Sequence, residues 1–247
     1  MSEPEVAPIP SENWGIDKRF LKLKHHDVLM KPPFTAVILG AIGAGKTSLG
    51  YSLMNSHYAN YFDEVLVICG TLDSKKYWEE IKQRTVVFVD SLDDAALERY
   101  VKGIEKDKEE KIEKGKYPLR CAMVLDDCVF DGMNKHRQGM LEKLMMTCRH
   151  YNISILLMLQ HSKMISAAMR NQIFYWFLFR VTTNDLEKIS AEHAERLTDK
   201  DFQKMYHNVQ GSGKHEFMLI DYKAPVEARY RHRFTKTLNI NDYLHKP

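Results

Sequence analysis

The sequence predicts an α/β fold with a mainly parallel central sheet flanked by helices. Short apolar runs of strand length, bounded by polar residues or glycine, alternate with stretches of helical periodicity. The runs are continuously apolar, which is typical of strands buried on both faces of a parallel sheet. A glycine-rich turn also joins the first apolar run to the first helical stretch. Strand–helix alternation at this spacing indicates βαβ units.

Each predicted element follows from this alternation. The expected strands are the apolar runs 34–39, 64–69, 86–89, 122–125, 153–159 and 173–179. The expected helices cover 46–57, 75–82, 93–115, 136–149, 163–171 and 184–195. Two later runs, 215–222 and 227–234, are expected to be strands that extend the sheet or fold over it. We expect a flexible arm at 1–15 and a single domain at 16–247, with a core at about 30–195 and a C-terminal strand extension at 196–247.

Composition excludes several classes of protein. The 247 residues include 36 Lys and Arg against 33 Asp and Glu, a net charge of +3, so any contact with nucleic acid must be a local patch. The four cysteines show no CxxC spacing, which argues against a disulfide scaffold and a zinc site. The chain has neither a signal-peptide pattern nor an apolar stretch of roughly 20 residues that could cross a bilayer. We therefore expect a soluble protein from a reducing compartment.

The most specific motif is G-x-x-x-x-G-K-[ST] at 40–47, between the first predicted strand and helix. Glycines let the backbone wrap a phosphate with its N–H groups pointing inward, and the helix N-terminus adds its dipole. We expect Lys46 to reach the β- and γ-phosphates of ATP and the Thr47 hydroxyl to ligate Mg²⁺. The predicted nucleotide-binding residues are Gly40, Gly43, Ala44, Gly45, Lys46, Thr47 and Ser48. The alternative, a glycine-rich turn without a ligand, fits the flanking elements less well.

Paired carboxylates follow a predicted buried strand 80 residues after the lysine. Asp126 and Asp127 end the apolar run 121–125, which is the form of a Walker B strand. Adjacent carboxylates at such a place are costly unless they face a cation or solvent. We expect Asp126 to hold Mg²⁺ and Asp127 to position and polarise the attacking water. A plain surface turn is the alternative.

Two further residues flank the strand at 153–159. Gln160 follows it and is positioned to sense the γ-phosphate, although a capping or surface role is the alternative. Arg149 precedes it and could act on the nucleotide of a neighbouring subunit as an arginine finger, or complement the dipole of its own helix. Arg170 and Arg180 are rival candidates for the finger.

With these motifs the chain resembles the FtsK–HerA superfamily of P-loop motors, and within it the genome-packaging ATPases of poxviruses, giant viruses, virophages and membrane-containing phages. The resemblance covers about residues 30–195. It rests on Pro33-Phe34 before the loop at 40–47, the strand at 62–64, Asp126-Asp127, the run from Arg149 to Gln160, and the segment 168–171. Asp127 stands where many motor ATPases have the longer glutamate.

The resemblance implies a RecA-like core, a homo-oligomeric ring of five or six subunits, and hydrolysis of ATP with Mg²⁺. It also implies translocation of double-stranded viral DNA into a preformed capsid, with DNA, other copies of the chain and a capsid or membrane vertex protein as partners. The expected location is the cytoplasm of the infected cell, at the assembly site or a virion vertex. The alternatives are a P-loop nucleoside or nucleotide kinase, another DNA-translocating ATPase without a packaging role, and a scaffold that binds ATP without hydrolysing it.

Possible DNA contacts lie outside the nucleotide motifs. Arg229, Arg231 and Arg233 alternate with other residues, so in a strand all three would share one face and could meet DNA phosphates in a pore. A solubilising edge strand is the alternative. Lys163, in the loop after Gln160, is a second candidate contact.

Overall fold

The computed structural model describes residues 17–70, 72–81, 86–89, 94–114, 116–127 and 135–244. The predicted arm at 1–15 and Cys128 lie outside these residues. The described residues form a nine-stranded sheet in the order β3-β2-β4-β5-β1-β6-β7-β8-β9. None of their helices is both long enough and apolar enough to cross a membrane.

Six parallel strands form one side of the sheet. They are β1 (Thr35–Leu39), β2 (Glu64–Cys69), β3 (Val86–Val89), β4 (Cys121–Asp126), β5 (Ile153–Leu159) and β6 (Tyr175–Leu178). The other side is antiparallel and consists of β7 (Met218–Asp221), β8 (Tyr230–His232) and β9 (Lys236–Thr237). We call the edge where the carboxyl ends of β1 to β6 meet the upper edge, and the edge where these strands begin the lower edge.

Helices cover both faces of the sheet. They are α1 (Lys46–Ser52), which continues as a π turn to His57, α2 (Leu72–Trp78), α3 (Asp94–Glu113), α4 (Lys135–Thr147), α5 (Ala167–Arg170), α6 (Thr183–His193) and α7 (Asp199–Gln210). Along β1, Val37 and Leu39 pack into the core under α3 to α7, whereas Ala36 and Ile38 pack into the core under α1 and α2. Both faces of the strand are buried, which explains why its sequence is continuously apolar. The predicted α/β class with a mainly parallel sheet is confirmed.

The C-terminal part of the chain differs from the prediction in two ways. The two late runs do extend the sheet, but the strand expected at 227–234 is only three residues long, Tyr230–His232. Helix α7 was not predicted. Its start is a Thr-x-x-Asp cap, in which the Thr198 hydroxyl accepts from the Asp201 N–H at 3.2 Å, and its apolar residues recur at helical spacing.

An ion-pair network at the lower edge ties the N-terminal segment to the sheet. Arg120, just before β4, donates to the carboxylates of both Asp17 and Asp63, and Arg19 donates to Asp63 at 2.7 Å. Burial alone would raise the pKa of Asp17 and of Asp63, but hydrogen bonds from Arg120, Arg19 and Tyr61 outweigh it and leave both pKa values below the ordinary 3.8. The network therefore stabilises the fold while these carboxylates are ionised.

We predict that Arg120→Gln lowers the free energy of unfolding by about 2 kcal/mol at pH 7, because the largely buried Asp17 loses its main donor and Asp63 loses a longer contact at 3.4 Å. Since the folded pKa values lie below 3.8, this contribution is complete above that pH and is lost as the pH falls through them. Urea denaturation of both proteins across this range checks the prediction. Lys116→Gln, which removes an exposed charge nearby, is the control. An equal loss of unfolding free energy at pH 3 and at pH 7 would contradict the prediction.

Candidate functional site

The glycine-rich loop at 40–47, the phosphate loop, joins β1 to α1 at the upper edge. Its first two N–H groups are fixed by the neighbouring strands, because Gly40 donates to Leu159 O at 3.1 Å and Ala41 donates to Arg180 O at 2.8 Å. Gly43 and Gly45 have φ values of 73° and 107°, which side chains disfavour. A Cβ on Gly40 would lie 2.7 Å from the Cβ of Phe179. The conformation of the loop therefore requires glycine at these three positions, whether or not a ligand is bound.

Lys46 begins α1 and is buried inside the phosphate loop. Its ammonium donates to the carbonyl oxygens of Gly40 at 2.9 Å and Ala41 at 3.3 Å. Burial lowers the pKa of Lys46, while the charges of Asp127 and Asp126 act in the opposite direction. Two carbonyl oxygens of the phosphate loop thus hold a buried cation inside it.

Asp126 ends β4 directly across from the phosphate loop. Its carboxylate is fully buried and accepts from the Trp78 indole at 2.7 Å, and the Thr47 hydroxyl lies 3.5 Å from its other oxygen. Burial raises the pKa of Asp126 and the charge of Asp127 adds to this, whereas Trp78 and Lys46 lower it. A carboxylate oxygen beside a hydroxyl oxygen suits Mg²⁺, which keeps several waters and needs few protein ligands. Among the described residues no cluster of three or more His, Cys, Asp or Glu offers a competing metal site.

Asp127 adopts a left-handed backbone conformation, with φ of 45°, immediately after β4. Its N–H donates to Met158 O at 3.3 Å, which fixes the turn against the end of β5. One carboxylate oxygen of Asp127 is buried and has no hydrogen-bond partner within the described part of the chain. A buried acceptor without a donor is costly, so this oxygen is suited to accept from a ligand or a water.

Gln160 directly follows β5, whose last two residues, Met158 and Leu159, accept the hydrogen bonds from Asp127 and from the phosphate loop. The turn after it is held by the buried Asp185, which accepts from the Ser162 N–H at 2.8 Å and lies 2.9 Å from His161 Nδ1. Lys163 is exposed on this turn. The predicted sensor Gln160 and the candidate DNA contact Lys163 therefore share one anchored segment at the upper edge.

The three candidate finger arginines lie in different environments. Arg149 is exposed at the lower edge, before β5, so the seven-residue strand separates it from its own phosphate loop by about 20 Å. Arg170 is buried in a bidentate pair with Glu192, with distances of 2.9 and 2.8 Å. Arg180 is exposed at the upper edge and its carbonyl holds the phosphate loop of its own copy.

The three arginines predicted to share a strand face do not do so. Arg229 has helical backbone angles, Arg233 has a φ of 54°, and only Arg231 lies in β8. This prediction was wrong because it assumed that the extended backbone continues for eight residues. Each guanidinium is also paired with a carboxylate of this chain. The pairs are Arg229 with Glu195, Arg231 with Asp221 at 2.9 Å, and Arg233 with Glu216 at 2.7 Å.

Sequence reasoning missed two contributors to the site. Trp78 lies in α2 and donates a hydrogen bond to Asp126, which is 48 positions away, and no sequence motif predicts this contact. His215 has a φ of 59° and its Nδ1 lies 3.0 Å from Ala44 O, so the chain after α7 folds onto the phosphate loop. Beside it is a cavity of about 620 Å³. Its lining includes Gly43, Ala44, Phe179, Arg180, Val181, Tyr206, Gln210 and His215.

The sheet order and the glycine-rich loop define the α/β fold of P-loop proteins. The family model of the poxvirus A32 protein matches residues 21–221. The chain therefore belongs to the poxvirus A32 protein family. The uncharacterized protein 075L of Invertebrate iridescent virus 6 is 26% identical over 193 residues, which are 76% of this chain and 70% of that protein.

Solved structures of similar fold include viral and bacterial ATPases. B204, the DNA-packaging ATPase of Sulfolobus Turreted Icosahedral Virus, superposes with a TM-score of 0.54 at 14% identity, covering 78% of this chain and 95% of B204. The genome packaging NTPase B204 of Sulfolobus turreted icosahedral virus 2, in complex with ATP-γ-S, gives 0.53 at 15% identity, with 85% and 100% covered. EssC of Geobacillus thermodenitrificans gives 0.50 at 16% identity, and the match spans 64% of this chain but only 34% of EssC. At these identities the likeness concerns the fold.

We predict that Trp78→Phe lowers the free energy of unfolding by about 1.5–3 kcal/mol more than Trp176→Phe does. Both indoles are fully buried, but only Trp78 donates to a carboxylate, whereas the Trp176 N–H has no partner among the described residues. Chemical denaturation of the two variants without nucleotide measures the difference. An Asp126→Ala background should abolish it, and equal losses in both tryptophan variants would contradict the assignment.

Proposed function

We propose that this protein is an ATP-driven motor that moves double-stranded viral DNA into a preformed capsid. The observation that carries the proposal is the convergence of the phosphate loop, the Asp126–Asp127 pair and Gln160 at the upper edge, with Lys46 buried among them. Membership of the poxvirus A32 protein family and the likeness to B204, which is described as a DNA-packaging ATPase, support it.

ATP would occupy the upper edge with its phosphates in the phosphate loop. The neighbouring cavity of about 620 Å³ falls within the roughly 300–1,000 Å³ of small-molecule sites and would take the ribose and base. Phe179 and Tyr206 give it apolar walls. His215 lies between this cavity and the loop and would contact the nucleotide where base and phosphates join.

The chemistry of hydrolysis follows from the charges around the phosphate loop. Lys46 would exchange its two carbonyl partners for phosphate oxygens, which lets the buried ammonium keep its charge. Thr47 and Asp126 would hold Mg²⁺, which neutralises charge on the phosphates when bound. The unpaired oxygen of Asp127 would accept from the attacking water and orient it. Gln160, on its anchored turn, would detect the loss of the γ-phosphate.

The position of Arg149 supports action between subunits. An arginine at the lower edge is too far from its own loop to touch the nucleotide there. A head-to-tail assembly presents different surfaces of each copy to its two neighbours and closes into a ring when the rotation allows. We propose a homo-oligomeric ring of five or six copies, in which Arg149 serves the adjacent nucleotide.

The DNA-facing surface belongs to the same proposal. Lys163 is exposed beside Gln160, so a change in that turn would move a cation. Three other candidates, Arg229, Arg231 and Arg233, would have to exchange their carboxylate partners for DNA phosphates. We therefore propose that Lys163 contributes more to DNA binding than they do. The capsid or membrane vertex protein would be the other partner, at the assembly site in the cytoplasm of the infected cell.

We predict that duplex DNA raises the ATPase rate and that Lys46→Ala lowers it at least 100-fold with or without DNA. The substitution removes the one cation inside the phosphate loop. Steady-state phosphate release measures both effects, and Lys46→Arg separates the charge from the shape of the side chain. A near-normal ATPase rate in Lys46→Ala would contradict the proposal that the protein is a motor. Stimulation by nucleosides instead of DNA would indicate a kinase, and binding without phosphate release would indicate a nucleotide-gated scaffold.

A second prediction concerns the finger. Arg149→Ala is expected to assemble normally and bind nucleotide normally, but to hydrolyse it at least 10-fold more slowly, because the transition-state charge loses a cation. Mixing it with Asp127→Asn, which keeps Arg149 but lacks the water-orienting carboxylate, should restore part of the activity. Complete failure of mixed assemblies to hydrolyse ATP would remove the support for action between subunits.

A further inference from the structure

The lower edge carries two cations on one aromatic ring. The Arg149 guanidinium carbon lies 5.5 Å from the centroid of Phe174, and the Lys223 ammonium lies 3.7 Å from the same centroid. Phe174 directly precedes β6 and Lys223 follows β7, and the two segments are joined by the hydrogen bond from Tyr222 N–H to Phe174 O at 2.9 Å. We call these three side chains, Arg149, Phe174 and Lys223, the lower-edge cation cluster.

Nearby carboxylates are already occupied by other groups. One oxygen of Asp221 accepts from the backbone N–H of Lys223 and the other accepts from Arg231, both at 2.9 Å. Glu195 is paired with Arg229. Among the residues that the structure describes, neither Arg149 nor Lys223 forms a salt bridge. Burial lowers the pKa of Lys223 and the charge of Arg149 lowers it further, against the effect of Asp221.

Two like charges held close together raise the free energy of the fold unless something compensates for them. The face of Phe174 compensates in part, because a cation over an aromatic ring gains about 0.5–2 kcal/mol. The ring also fixes the directions of two long side chains that would otherwise move freely. A preformed pair of unneutralised cations of this kind is complementary to a compact anion that carries more than one negative charge.

We propose that the lower-edge cation cluster receives the terminal phosphates of the nucleotide bound by a neighbouring copy of this chain, with Lys223 as a second cation beside Arg149. The inference rests on the proposed ring ATPase. In the reaction a water oxygen bonds to the γ-phosphorus as the bond to the bridging oxygen of ADP breaks. The water proton passes to Asp127 or solvent, and the charge that develops on the bridging oxygen and the γ-phosphate faces the two cations.

The observations favour a nucleotide over DNA as the source of the phosphates. Sequence-independent DNA binding gains affinity from many cations spread along the backbone. Here Arg149 and Lys223 are held on one ring, whereas Arg229 and Arg231 on the same edge are neutralised within the chain. The phosphate loop and the cation cluster also lie at opposite edges of the sheet, so a head-to-tail contact could bring the cluster of one copy to the loop of the next.

Lys223→Met tests the inference in the full-length protein. Its side chain is exposed, so we expect normal folding, normal assembly and unchanged binding of a fluorescent ATP analogue by its own phosphate loop. Hydrolysis should fall about 10-fold, and Lys223→Arg should recover most of it. Lys236→Met, which removes an exposed charge on β9, is the matched control and should hydrolyse ATP at the normal rate.

Mixed assemblies then identify the copy on which Lys223 acts. Mixing Lys223→Met with Asp127→Asn, which retains the cation cluster, should restore hydrolysis at least 3-fold above the sum of the separate proteins. Normal hydrolysis by Lys223→Met, absence of any recovery on mixing, loss of assembly, or loss of DNA binding alone would each overturn the inference. A wild-type protein that releases no phosphate would instead overturn the proposed function.

Discussion

The site depends on the parallel alignment of β4, β5 and β1. Because these strands run side by side in the same direction, their ends bring the phosphate loop, the two aspartates and Gln160 to one edge. The alignment is fixed by backbone bonds at the site itself, where Gly40 donates to Leu159 O and Asp127 donates to Met158 O. Chemical groups that are distant in sequence are thereby held at fixed separations before any ligand arrives.

The same edge gathers groups that are costly to bury. Lys46 and Asp126 are both inside, and Asp127 keeps an oxygen without a donor among the described residues. The protein offsets part of this cost with neutral donors and acceptors, namely the Trp78 indole and two loop carbonyls. The proposed nucleotide and divalent cation would neutralise the charges that remain uncompensated, and their binding would then relieve a cost that folding incurs.

Most of the fold and the core of the site could be predicted from the sequence, because buried parallel strands and a phosphate loop have local signatures. The run Ile153–Leu159 was predicted to the residue, since every residue in it except Ser154 is apolar. Tertiary contacts are not encoded locally, and that is why Trp78 and His215 were missed. The prediction for the arginines around β8 was wrong for another reason. Residues that alternate in sequence share a face only while the backbone stays extended, and Arg229 and Arg233 lie just beyond the ends of β8.

The hydrogen bond between Trp78 and Asp126 also gives the protein a built-in optical probe. Indole emission depends on the local electric field, and this indole N–H is bonded to the carboxylate that faces Thr47. Trp176, the other tryptophan among the described residues, packs against His193 with ring centroids 4.6 Å apart, away from the phosphate loop. We therefore expect a change in the charge near Asp126 to alter the fluorescence of Trp78 more than that of Trp176, so that occupancy of the proposed site could be followed without a label.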